Sequence, residues 1–245
     1  MYTSFERGRD YFADFTSRSP QNTLPDFSVG GLKGRFSNGK VKRIGRYDPF
    51  ANEAVVMTSE PAYQNWLLRR FDTAVLDLDA RREPWSALHK GKHVEVRPHL
   101  FIHWKNQAPT LEVVVPTNKR LSARALEALE VVAKAHGVQA SVRTAWEVQA
   151  DNIKLLPLLE WLIQRMGLYA RNERLPWMEE HVANLLRNSG PWIRADVVGA
   201  MRCMTKQGDI ALVDAALLKL RHAGKIRLDL SSGAYGDASI IEPIF

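Results

Sequence analysis

Hydrophobic and polar positions divide the chain into stretches of different period. Up to about residue 56 no period is sustained, because Pro20, Pro25, Gly30, Gly31, Gly34, Gly39, Gly45 and Pro49 interrupt each candidate element and leave only a weak helix around Ser4 to Phe15. From Glu60 the spacing becomes helical. Tyr63, Trp66, Leu67, Arg70 and Phe71 form one face, Ser59 is placed to cap the first turn, and Pro61 suits the first helical position. Thr73 to Leu78 reads as a short buried strand, and Arg81 to Leu88, with Pro84 and Trp85, as a connector. His93 to Trp104 then alternates, with Glu95, Arg97, His99, Phe101 and His103 on one side and Val94, Val96, Leu100 and Ile102 on the other; Pro98 implies an edge or a bend. A turn at Asn106 to Pro109 and a strand from Thr110 to Val115 complete a predicted hairpin. Leu121 to His136 reads as an amphipathic helix started by Ser122 and stopped by Gly137, burying Leu126, Leu129, Val132 and Ala133, and Val138 to Val148 returns as a strand.

Helix, strand, hairpin, helix and strand over residues 57–150 predict an α/β domain, a mixed sheet with flanking helices, preceded by an arm at 1–56. Asn152 to Met166, helical despite Pro157, is expected to link this domain, within residues 151–174, to a second one at 175–245. There, helices at 177–188, 192–203 and 209–222 precede two strands, Lys225 to Leu230 and Ala238 to Ile244, joined by Ser-Ser-Gly-Ala-Tyr-Gly. Three helices and a terminal hairpin point to a winged helix.

With 245 residues, 45% of them hydrophobic, the chain can build real cores. No apolar run approaches the roughly 20 residues that cross a bilayer, and the first residues lack the apolar segment of a secretory signal, so a cytoplasmic protein without a membrane partner is expected. Cys203 is the one cysteine; it excludes an internal disulfide or a cysteine-rich zinc site, and its apolar neighbours predict a buried, inert thiol. Thirty-four Lys and Arg against 27 Asp and Glu give a net charge of +7, which favours a polyanionic partner such as DNA. From Arg171 onward bases and acids nearly balance, so the surplus lies earlier and the C-terminal part suits protein docking better than DNA contact. Lys33, Arg35, Lys40, Lys42, Arg43 and Arg46 fall in a stretch with no acidic residue between Asp26 and Asp48; interleaved with Phe36 and Tyr47, they suit either a phosphate-contacting arm or a solvated loop.

Glu60 on its helix and Glu95, Arg97, His99, His103 and Glu112 on the two strands could form a metal-dependent nuclease core, or the relic of one. From about residue 30 to 150 the chain resembles the N-terminal domain of the TnsA family, the endonuclease subunit of heteromeric transposases. The resemblance rests on Ser59-Glu60 opening a helix that ends at Arg70-Phe71-Asp72, on Arg97-Pro98-His99-Leu100-Phe101 where the family has Pro-Asp-Phe, and on Glu112-Val113-Val114 where it has Glu or Gln, any residue, then Lys. The trailing winged-helix pattern fits the family's two-domain layout. The resemblance implies a restriction-endonuclease-like fold, DNA as substrate, Mg²⁺ or Mn²⁺ as cofactor, and a transposase (recombinase) subunit and an ATPase regulator as partners. In that chemistry carboxylates hold one or two metal ions while a lysine stabilises charge or orients the attacking water. The matching catalytic positions are Glu60, His99, Glu112 and Val114, and the first three are the metal positions.

Two of these four depart from the pattern: His99 stands where the metal-bridging aspartate is expected and Val114 where the lysine is. Imidazole is a poor ligand for Mg²⁺, though Mn²⁺ or Zn²⁺ tolerate it better, and valine supplies no charge. Lys119 lies about 16 Å further along an extended strand. Arg97, on the same side as His99, is the nearer cation and a candidate phosphate contact, but a poor proton acceptor. Each residue also has a structural reading: Glu60 stabilising a helix N-terminus, His99 and His103 as hydrogen-bonded strand residues, Glu112 facing Arg97 across the hairpin, and Trp66, Trp85 and Trp104 as core. The balance favours a DNA-binding transposition component whose nuclease fold is impaired and serves architecture or regulation. The alternatives are an active endonuclease nicking at transposon ends through a rearranged Glu60, His99 and Glu112 site, and a winged-helix regulatory or partner-binding protein.

Overall fold

Residues 44–80, 83–116, 120–187, 190–205 and 209–244 are described by a computed structural model. Its first elements, β1 (Ile44–Asp48) and β2 (Glu53–Met57), pair as an antiparallel hairpin. The glycines and prolines of the sequence predict an unpacked arm here; instead Ile44, Val55 and Met57 are buried in the main core. One buried charge fastens the hairpin. The Asp48 carboxylate accepts the Phe50 amide at 2.9 Å and pairs at 2.5 Å with Arg70 on the next helix.

That helix, α1 (Glu60–Arg70), starts as expected, with Ser59 Oγ accepting the Ala62 amide at 3.3 Å. It buries Ala62, Tyr63, Trp66 and Leu67. Strand β3 (Val75–Asp79) follows, and then β4 (Trp85–His89) and β5 (Lys92–Val96) form a hairpin where a connector is expected. Lys90 and Gly91, at φ 51° and 74°, supply the two left-handed residues that a tight two-residue hairpin turn needs.

The strand predicted over His93 to Trp104 is in fact two. Pro98 lacks an amide hydrogen and interrupts it, so β5 ends at Val96 and β6 begins at Leu100 (Leu100–Trp104). The break resets the alternation. Val96 and Phe101 share one apolar cluster, whereas Leu100 and Ile102 lie in the other.

Strand β7 (Thr110–Val115) pairs antiparallel with β6, as the hairpin prediction has it. Helix α2 (Ala123–Ala135), capped by Ser122, then crosses over to β8 (Gln139–Thr144), which pairs parallel with β7. The main sheet thus runs β3, β6, β7, β8 and is mixed. Every residue of β7 is buried, because both faces of this strand are covered. Leu111, Val113 and Val115 pack with Leu129 and Val132 of α2, and Glu112 and Val114 point to the opposite face, the α1 side. Of the face predicted for α2, Leu126 is exposed, and Ala125 and Ala128 are buried instead. The strand predicted over Val138 to Val148 stops at Thr144, where a capping box with Glu147 starts α3 (Ala145–Gln149).

Helix α4 (Leu155–Tyr169) tolerates Pro157 because the proline sits in the first turn, where amides have no intrahelical acceptor. Next come α5 (Leu175–Arg187), β9 (Trp192–Ile193), α6 (Arg194–Thr205), α7 (Ile210–His222), β10 (Ile226–Leu228) and β11 (Ile240–Pro243), with the three strands ordered β10, β11, β9. Helix α7 is buried almost around its circumference, from Ala211 to Leu218 and at Leu220. Cys203 on α6 is exposed, not buried; Val197, Val198 and Met201 take that helix's inner side. The helix read as a linker, α4, is packed on both flanks: Leu159, Leu162, Ile163 and Met166 join a single buried cluster that includes Trp66 of α1 and Leu217 of α7. Among the described residues no helix is long and apolar enough to cross a membrane.

Candidate functional site

Glu112 lies at the centre of the main sheet with its side chain inaccessible to solvent. An unpaired carboxylate there would be costly, and the surrounding elements satisfy it completely. From α1, one turn apart, come Asn65 and Arg69. Asn65 Nδ2 donates to Oε1 at 2.6 Å, and the Arg69 fork donates through Nε to Oε1 at 3.1 Å and through Nη2 to Oε2 at 2.6 Å. From β8, the residue paired with Glu112 in register is Ser141, whose Oγ donates to Oε2 at 3.3 Å. Arg143, two residues further on the same strand, donates to Asn65 Oδ1 at 2.8 Å and so orients that amide. Burial pushes the Glu112 carboxyl up, but the hydrogen bonds and charge of Arg69, with help from Asn65 and Arg143, outweigh it and hold the pKa below the ordinary value. The guanidinium of Arg69 also lies 5.1 Å from the Trp104 ring centre.

The other predicted site residues are placed differently. Glu60 is exposed at the first position of α1, where Gln64 donates to it at 3.4 Å. It precedes Asn65 by five positions, roughly 7.5 Å along the helix and about 140° around it, so it faces away from the Glu112 network. His99 joins β7 through both its backbone and its ring: its amide donates to the Glu112 carbonyl at 2.9 Å, and its Nδ1 accepts the Val114 amide at 3.1 Å. Val114 is buried. His103 packs edge-on against Phe101 at 4.5 Å.

Arg97 pairs with Glu95 at 3.1 Å, not with Glu112 across the hairpin; the break at Pro98 removes it from the register that would have brought them together. Arg46 pairs with Glu160 at 3.3 Å and lies over the Tyr63 ring. Lys33, Arg35, Lys40, Lys42, Arg43 and Lys119 lie outside the described residues.

The metal reading therefore does not fit these residues. The Glu112 oxygens are engaged by four donors, the His99 Nδ1 lone pair by an amide, and Glu60 is on another face. Among the described residues no group of three or more His, Cys, Asp or Glu is placed to hold a metal ion.

What the sequence reading missed is Asn65, Arg69, Ser141 and Arg143. Asn65 and Arg69 are four apart, outside the apolar stripe of α1, and Ser141 and Arg143 are two apart on a strand. Those spacings place each pair on one side of its element, though neither reveals its partner.

A further buried carboxylate, Asp214 of α7, is held by a bidentate pair with Arg194 at 2.7 and 2.9 Å, by Tyr235 Oη at 2.6 Å and by Arg165 at 3.3 Å. It clamps α7 to α4, α6 and the segment before β11. No family model matches the chain, and no curated protein shows significant similarity to it.

Proposed function

We propose that the chain is a DNA-binding component of a TnsA-like heteromeric transposition system, in which a restriction-endonuclease-like domain serves architecture or regulation and does not cut. The mixed sheet flanked by α1 and α2 supports the fold that the resemblance implies. The observation that carries the reading is the state of Glu112: the carboxylate that a working site would offer to a metal is spent on Arg69 and Asn65. A guanidinium in that place already supplies the positive charge a metal would bring, and an arginine neither generates hydroxide nor accepts a proton.

The C-terminal helices α5 to α7 with three short strands support the winged-helix reading of the second half. Its third helix, α7, is enclosed by neighbours and offers no free face to a DNA groove. This half is assigned to docking of the ATPase regulator, with the recombinase as the other partner of the chain. DNA contact is assigned to the basic stretch from Lys33 to Arg43 and to the net positive charge.

The test is supercoiled plasmid incubated with the full chain and Mg²⁺ or Mn²⁺, with and without a recombinase subunit. The plasmid stays uncut; nicking that disappears in Glu112→Ala overturns the proposal. In a mobility-shift assay, neutralising Lys33, Arg35, Lys40, Lys42 and Arg43 together lowers the salt dependence, by about 0.9 in logarithmic slope for each lost phosphate contact. An unchanged slope removes these residues from the interface.

A further inference from the structure

We propose that the cavity where α1, α4, the end of α7 and the segment after β10 meet is a binding site for a phosphate group. The cavity is about 330 Å³, and Arg69, Arg143 and Arg221 line it. The argument turns on Arg221. It is largely withdrawn from water, and burial, the largest influence, lowers its pKa, while the charges of Asp72 and Asp229 act the other way. Its hydrogen bonds go to main-chain carbonyls, Nε to Leu228 at 2.9 Å and Nη1 to Phe71 at 2.8 Å. The carboxylates whose charge it feels, Asp72 and Asp229, are not the acceptors of these hydrogen bonds. Two carbonyls fix the plane of the guanidinium without neutralising it, the preorganised state suited to an incoming oxyanion.

Arg69 is fixed by its bidentate pair with Glu112, which offsets its charge, and Arg143 by the neutral Asn65 side chain. The wall also contains Leu155, the first residue of α4, a fifteen-residue helix whose first turn has no side-chain cap, so the positive end of its dipole is at the cavity. Two acids border the space. Asp72 accepts the Ala74 amide at 2.9 Å and lies 3.8 Å from Arg69 Nη1; Asp229 accepts the Ser231 amide at 2.8 Å and is exposed. Water screens the exposed carboxylate, while the charge of Arg221 is screened far less. With the charge of Arg69 offset by Glu112, Arg143 and Arg221 are the cations set against these two acids. The site stands apart from the transposition reading, since it requires neither a nuclease ancestry nor a DNA partner.

The phosphate has two possible sources, a small phosphate compound or a phosphorylated DNA end, and one calorimetric titration of the full chain separates them. With pyrophosphate as the probe at constant ionic strength in chloride, binding is expected at one site per chain. Ser231→Glu, which places a carboxylate at the exposed mouth without touching the arginines, weakens it about tenfold, from a like charge several ångströms away in partly screened surroundings. Asp229→Asn keeps the acceptor for the Ser231 amide, removes a repelling charge and tightens binding several-fold. Because the two variants move in opposite directions, unfolding cannot mimic the pattern. A 5′-phosphorylated duplex that displaces pyrophosphate, where its unphosphorylated counterpart does not, makes the ligand a DNA end; no displacement by either makes it a small phosphate compound. Absence of heat beyond the chloride control, or binding that neither variant alters, overturns the proposal.

Discussion

Replacing Arg69 by methionine inverts the way one carboxylate depends on pH. In the native chain the pKa of Glu112 is lowered, so its stabilising contribution is present above the unfolded-state value and is lost as pH falls through the folded one. Arg69→Met retains the aliphatic stem but removes two donors and a positive charge, leaving Asn65 and Ser141 as the direct donors. Burial then dominates and the carboxyl pKa rises. Leaving a buried charge without its partner costs about 3–5 kcal/mol near neutral pH. A group with a raised folded pKa has its contribution intact below the unfolded value and loses it as pH rises. The variant therefore regains about 1.4 kcal/mol for each pH unit descended between its raised pKa and the unfolded-state value. Urea unfolding at pH 8 and pH 5, followed by tryptophan fluorescence, measures this directly, since Trp104 lies against the Arg69 guanidinium. Converting the partner as well, in Arg69→Met with Glu112→Leu, restores most of the loss, because no buried charge remains. A deficit below about 1 kcal/mol, or one equal at the two pH values, refutes the claim that Arg69 is what holds Glu112 in the sheet.

Three further outcomes follow from neighbouring features. His222 is held neutral, its pKa lowered to about 4 by burial first and then by Arg70, Lys105 and Arg221. Stability present above the ordinary value of 6.5 is lost as pH falls toward 4, by at most roughly 3 kcal/mol, and His222→Phe, which keeps a ring against Phe50, flattens that dependence; a ring resonance titrating near 6.5 contradicts this. Tyr235→Phe removes the 2.6 Å hydrogen bond to Asp214 and lowers unfolding stability by about 1.5–3 kcal/mol, as measured in urea. Gly233→Ala lowers the melting temperature, because the backbone there has φ +71° and an added Cβ would meet the Lys154 carbonyl oxygen at 2.9 Å; an unchanged melting curve rules out that close approach.

Elements with a cap and a sustained period could be read from the sequence. Ser59 and Ser122 each mark a helix start that the structure places within a residue, and the apolar spacing of α1 identifies Trp66 and Leu67 as core. The region between them was harder to read. Alternation through Val94, Val96, Leu100 and Ile102 looks continuous, yet Pro98 divides it between two sheets and places Val96 and Leu100 in different clusters. The β4–β5 hairpin depends on left-handed Lys90, a residue with little preference for such a turn, so the sequence carries only half the usual signal.

At the candidate site, Glu112 stands out in the sequence but its partner does not. Register across a hairpin suggested Arg97, whereas the charge arrives from Arg69 of a helix packed on the sheet, a tertiary contact that no local spacing encodes. The burial of α7 had a sequence signal, since Ile210 to Leu220 is apolar on every side apart from Asp214 and Lys219.

The position of α4 has a thermodynamic consequence. Its apolar face is shared between α1 on one flank and α7 on the other, and Arg221 of α7 is tied to the Phe71 carbonyl at the end of α1. The N-terminal sheet and the C-terminal helices are thus coupled through one core rather than joined by a tether. A protein that grips the C-terminal helices adds its binding free energy to the stability of that shared core, and the Glu112 network gains from it without any atom there having to move.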